Sequence, residues 1–138
     1  MSVSGNRQMA MRWIETAEED LHTARLLRDG GAHAPACFYA QQAAEKAMKA
    51  LWYAVDQEPW GHSVVALVED FVERNSLPNW MQWSDYAAQL DQFYIPTRYP
   101  DSLPTSTPGR MYRASDSERA LACAEPIVNG CREWLEAR

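Results

Sequence analysis

No stretch of the sequence runs to about 18 uninterrupted apolar residues, the minimum for a membrane-crossing helix, so no span is expected. The first residues, 1–8, are polar and lack the apolar centre of a signal peptide, and the few unpaired cysteines make a reducing cytoplasm the expected compartment. Cysteine is scarce and odd in number: Cys37, Cys123 and Cys131 form no CxxC pair. That argues against a disulfide framework or a cysteine zinc site and leaves the thiols as small buried apolar groups. Histidine is scarcer still after the first half, with none beyond His62. No spacing of His, Cys, Asp and Glu has the form of a metal site, and there is neither a glycine-rich phosphate loop nor a nucleophile elbow. No metal or cofactor is expected. Positive charge is also short, with 13 Lys and Arg against 19 Asp and Glu and a net charge of -6. An acidic chain can hold nucleic acid only through a local cationic patch.

What the sequence does hold is helical periodicity. Its 138 residues, 46% hydrophobic and 23% charged, suffice for one core and are expected to form a single domain over 1–138. Residues 9–28 place Trp13, Ala17, Ala24 and Leu27 on one stripe, with Asp20 inside it and Gly30-Gly31 closing the helix. Residues 35–55 form a second helix opening at Pro35. Its stripe of Ala40, Ala43, Ala47, Leu51 and Ala54 is small enough to let a neighbour approach closely, the mark of a central helix. Glu45 and Lys49 stand four apart in the favourable order. A shorter helix is expected over 63–74, with Val64, Leu67, Val68 and Phe71 inward. A fourth begins at the Asn79/Gln82 capping box and carries Trp83, Tyr86, Ala87, Leu90 and Phe93.

Periodicity then stops. Residues 95–114 contain Pro96, Pro100, Pro104 and Pro108, half of the eight prolines, and read as a long functional or unstructured loop. A last helix follows the Ser115/Glu118 capping box, with Leu121, Ala124, Val128, Cys131 and Leu135 on one face. Pro126 is expected to kink it or start it afresh. No segment alternates with period two long enough for a central strand. The expected fold is all-α: an antiparallel up-and-down bundle of about five helices, with a polar extension over 1–8 and a Pro-rich loop before the last helix.

Four pieces of the chain, taken in order, resemble the HEPN domain family over roughly residues 10–136. Glu19-Asp20-Leu21 with Ala24 and Leu27 is similar to its first helix. Residues 36–51 (Ala36-Cys37-Phe38-Tyr39-Ala40-Gln41-Gln42-Ala43-Ala44-Glu45-Lys46-Ala47-Met48-Lys49-Ala50-Leu51) resemble its second-helix signature. Gly61-His62-Ser63-Val64 is similar to its step into helix three, and Tyr94-Ile95-Pro96-Thr97-Arg98-Tyr99-Pro100-Asp101 to its Tyr-x-x-x-Arg-Tyr-Pro-Asp loop. The resemblance implies a helical bundle, commonly dimeric, that binds nucleotides and often works beside a minimal nucleotidyltransferase. One branch of the family consists of metal-independent ribonucleases, often toxins, with an Arg-x(4–6)-His motif near the last helices. This sequence departs from that branch: the positions that would follow Arg98 are Leu103, Pro104 and Thr105. The one literal match, Arg28 with His33, lies in the first interhelical turn.

The candidate binding residues are Arg98, Tyr99, Asp101, Lys46, Lys49 and His62; none is assigned as catalytic. Arg98, with Arg110 and Arg113, makes the proline-rich loop cationic and suits a phosphate. Alternatively Arg98 pins the loop to Asp20 or Glu45. Tyr99 and Tyr94 offer rings for a base or for packing. Asp101 suits a ribose hydroxyl or caps its own turn. Lys46 and Lys49 could reach one phosphate together or lie solvated. His62 is a general base or a packing residue at a turn. Trp52, Trp60, Trp80 and Trp83 divide between core and a dimer face. The expected function is therefore a noncatalytic binding module, with no catalytic set spelled out in the sequence. Its expected partners are a second copy, a nucleotidyltransferase-fold protein, and a nucleotide or RNA. The alternatives are a toxin-like endoribonuclease using Arg98 and His62, and a scaffold without a nucleotide site.

Overall fold

The computed structural model describes the backbone of residues 3–138 and the side chains of residues 6–138. Six α-helices follow one another: α1 (Val3–Asp29), α2 (His33–Ala54), α3 (Val64–Phe71), α4 (Trp80–Asp91), α5 (Pro108–Met111) and α6 (Ala114–Glu136). A 3-10 turn, Pro100–Ser102, lies between α4 and α5, and no strand occurs among the described residues.

Helix α2 is the centre of the bundle. It touches α1, α3, α4, α5 and α6, and Ala40, Ala43, Ala47 and Leu51 are fully buried. Its alanines leave room for backbones rather than side chains to set the spacing. The same economy recurs where α6 meets α4: a Cβ on Gly130 would overlap the ring of buried Trp83. Burial raises the thiols of Cys37, Cys123 and Cys131, which fill small gaps in this core; Cys37 is pushed up to about 12, with Asp116 adding to the effect.

Several boundaries differ from the sequence expectation. The polar segment 1–8 is not an extension from residue 3 onward, because α1 already runs there and Arg7 donates to the Leu135 carbonyl, 3.3 Å, at the end of α6. Residues 1 and 2 lie outside the described part. The Pro-rich loop over 95–114 holds two short helical turns. Helix α6 continues through Pro126 rather than starting afresh. Cys123, Ala124, Ile127 and Val128 are buried on either side of the proline, and their packing offsets the one hydrogen bond it removes. The capping acid of α6 is Asp116, which accepts from the Arg113 N–H at 2.8 Å, two residues ahead of the expected Ser115/Glu118 pair. The Asn79 side chain makes no cap bond to α4.

The tryptophans do not form one face. Trp83 is core, and Trp52 is half-buried and donates to the Leu67 carbonyl at 3.0 Å. Trp80 packs half-buried at the core's edge, while Trp60 stands 85% exposed.

Candidate functional site

The turn that carries His62 is fixed from two sides. Gly61 takes a φ of +85°, a conformation that glycine tolerates best. Ser63 caps α3, its Oγ accepting from the Ala66 N–H at 3.1 Å. Asp91, at the end of α4, accepts from the Val64 and Val65 N–H groups, 2.8 and 3.2 Å, and from the Ser63 hydroxyl, 2.9 Å. A carboxylate there satisfies amides that have no partner within the helix and complements its dipole. From α2, buried Gln41 donates to the His62 carbonyl at 3.0 Å.

So held, the exposed His62 ring brings Nδ1 to 3.3 Å from Glu45. It stacks on Tyr94 with centroids 4.8 Å apart. Glu45 is 3% exposed, yet fully engaged: it also accepts from Lys49 at 3.1 Å and from Gln42 at 3.4 Å. Lys46 is taken by Asp20, 2.6 Å away. The two lysines are therefore half-buried ion-pair partners rather than solvated residues. Asp20 points to α2, as its place on the inner stripe of α1 requires.

Arg98 lies one turn beyond Tyr94, and the chain between them is coiled: the Arg98 N–H donates to the Ile95 carbonyl at 3.1 Å. The Arg98 Nε–H donates to the Tyr94 carbonyl at 2.9 Å. Its guanidinium carbon stands 4.4 Å from the centroid of Phe38, 4.7 Å from Tyr94 and 5.0 Å from Tyr99. Neither Asp20 nor Glu45 pins it, because Lys46 takes the first and Lys49 and His62 take the second. Among the described residues no carboxylate pairs with Arg98, which remains exposed.

Arg98, Tyr99, Tyr94 and His62 thus gather on one ring system, and Glu45, Lys49 and Lys46 continue from it along α2. Asp101 is exposed in the 3-10 turn, and Arg110 and Arg113 are exposed farther along the loop. Arg28 and His33 do not meet: Arg28 binds Asp29, while His33 Nδ1 is 2.8 Å from Ser117 Oγ. Phe38, Gln41 and Asp91 are contributors that sequence reasoning missed. Phe38 and Gln41 do lie within the 36–51 stretch that resembles the family's second helix, the one signal that this helix underlies the site.

The described residues hold no group of three or more His, Cys, Asp or Glu side chains placed to bind a metal. None of their helices is long and apolar enough to cross a membrane.

The HEPN domain family matches residues 10–134. A protein of Thermus thermophilus of known structure is 40% identical, with a TM-score of 0.84 over 90% of this chain and 96% of that one. An archaeal HEPN homologue is 34% identical, with a TM-score of 0.76 over 91% and 97%. A HEPN domain protein of Thermotoga maritima is 31% identical, with a TM-score of 0.72 over 92% and 99%. No curated protein matches the chain. With the match running from α1 to the end of α6, and with these relatives sharing the bundle along nearly their whole length, the chain belongs to the HEPN domain family.

Proposed function

We propose that this chain is a noncatalytic binding module that holds a nucleotide or RNA phosphate on Arg98. One observation carries the reading: an exposed guanidinium with no carboxylate partner is seated on three aromatic rings. The rings set the guanidinium plane without neutralising its charge, and among the described residues only its Nε is committed to a hydrogen bond. Its remaining N–H groups have the planar geometry that suits phosphate oxygens. Tyr99, 48% exposed, offers a ring edge or face to an attached base. Membership of the HEPN family supports a nucleotide or RNA ligand, or a nucleotidyltransferase partner presenting one.

Thermal-shift measurements with nucleotides and short RNAs on wild type and Arg98→Ala test this. The reading expects ligand-induced stabilisation in the wild type and its loss in the variant. Stabilisation by none of them leaves the scaffold reading.

A second reading, a metal-independent endoribonuclease, is favoured by one contact set: His62 and Arg98 both pack on Tyr94, and Glu45 orients the imidazole. His62 would take the proton of the ribose 2′-hydroxyl as its oxygen bonds to phosphorus, the P–O5′ bond would break with a proton from water going to the leaving 5′-oxygen, and Arg98 would steady the phosphate. RNA cleavage that disappears in His62→Ala would establish it.

The same module is proposed to work as a homodimer. Exposed Trp60 and Met81 supply apolar surface for a second copy, and light scattering distinguishes dimer from monomer.

A further inference from the structure

Trp60 is 85% exposed, and the backbone on both sides of it is fixed: Pro59 is buried and Gly61 takes a φ of +85°. Among the described residues its ring stacks on no other. It forms one wall of a cleft of about 170 Å³ that is also lined by Trp52, His62, Ala66, Leu67 and Asp70. The Trp52 ring is held there by its Nε1–H, which donates to the Leu67 carbonyl at 3.0 Å, and by Phe71, centroids 6.0 Å apart. Two indoles beside a carboxylate make a setting for a cation. Tryptophan is the ring that attracts one most strongly, and Asp70 adds a charge-assisted contact.

The cleft continues past Asp70. Trp52 and Asp70 also line a groove of about 580 Å³, together with Asp56, Glu58, Glu73 and Arg74. Four exposed carboxylates thus stand against one guanidinium, and among the described residues none of these groups is in an ion pair. No three of the carboxylates converge on a metal position. The charge that complements them is therefore spread along a chain rather than concentrated in one ion. The main-chain groups of the adjoining turn are already used: Gln41 takes the His62 carbonyl, and Asp91 takes the Val64 and Val65 N–H groups. Little is left there for a peptide backbone to pair with, whereas an aliphatic chain has no backbone polar groups to satisfy.

We propose that the Trp52–Trp60 cleft and the acidic groove beside it bind a linear aliphatic polyamine. One terminal ammonium lies against the indoles and Asp70, and the others lie along Asp56, Glu58 and Glu73. The site does not rest on the Arg98 reading; His62 is the residue common to both.

Isothermal titration calorimetry with spermidine, putrescine, magnesium chloride and trilysine tests it, on wild type, Trp60→Ala, Asp70→Asn and Glu136→Gln. The substituted positions are all exposed, so the fold is kept. Spermidine should bind the wild type more tightly than putrescine, and magnesium more weakly than either. Trp60→Ala and Asp70→Asn should each weaken spermidine about tenfold. Glu136→Gln, on α6 and outside the groove, should change nothing. Magnesium binding as tightly as spermidine, or equal losses in Asp70→Asn and Glu136→Gln, overturns the site in favour of a general response to acidic charge. Spermidine affinity indifferent to Trp60→Ala overturns it as well. Trilysine binding more tightly than spermidine replaces the polyamine with a basic protein segment. A dimer that light scattering finds broken by Trp60→Ala shows the ring covered by a second copy, and also overturns the site.

Discussion

The guanidinium carbon of Arg98 lies 4.4 Å from the centre of the Phe38 ring, so a residue of the proline-rich loop rests directly on the central helix. The contact orders the loop without an ion pair. It also separates the cost of losing Arg98 for folding from its cost for binding.

Arg98→Ala should therefore destabilise the fold only slightly. Exposed cation–π contacts contribute about 0.5–1 kcal/mol, and no buried carboxylate is orphaned by the change. Urea unfolding should show a loss below about 2 kcal/mol. A loss of about 3–5 kcal/mol, the signature of an unpaired buried charge, would mean that Arg98 has a carboxylate partner after all.

Gly130→Ala should do more damage than its single added methyl suggests. The new Cβ would overlap the buried Trp83 ring, and either the ring or α6 must move. A cost of about 1–3 kcal/mol is expected for such overpacking. An unchanged denaturation midpoint would show that α6 and α4 do not meet there.

Ala43→Leu and Ala47→Leu should each cost about 1–3 kcal/mol for the same reason, since both positions are fully buried in the helix that the others surround. If neither lowers the melting temperature, α2 is not central.

Stability should fall on the alkaline side. An unfolded thiol titrates near 8.5, about the point where the unfolded chain begins to lose protons that the folded chain keeps. For Cys37 the folded value is pushed up to about 12, chiefly by burial. Its contribution is complete below the unfolded value and is lost as pH rises toward the folded one. Cys123 and Cys131 are raised in the same direction by burial. Denaturant midpoints from about pH 8 to about pH 10 should decline, and more gently in Cys37→Ala. An equal decline in both proteins would contradict the account of Cys37.

The bundle was legible because burial follows a 3.6-residue period wherever a helix packs along one side. Ala40, Ala43, Ala47 and Leu51, and Leu121, Ala124, Val128, Cys131 and Leu135, all proved buried. Arg98 and His62 could be singled out from their motifs, but their shared platform could not. Phe38 comes from another helix and sits in a run of small residues where an aromatic reads as core. The Asp91 cap on α3 is supplied across 26 to 28 residues, and no local spacing encodes such a contact. The rivalry for Glu45 was likewise hidden: its i,i+4 lysine was plain, while His62 reaches it only through the Gly61 turn.

The most direct test of the central claim is calorimetric titration of wild type, Arg98→Lys and Arg98→Ala with a short 5′-phosphorylated RNA. Lysine keeps the charge but loses the planar fork and its stack on Phe38 and Tyr94. The account predicts that Arg98→Lys weakens binding by about tenfold and Arg98→Ala by more, with melting temperatures nearly unchanged. Equal affinity in all three proteins would contradict it.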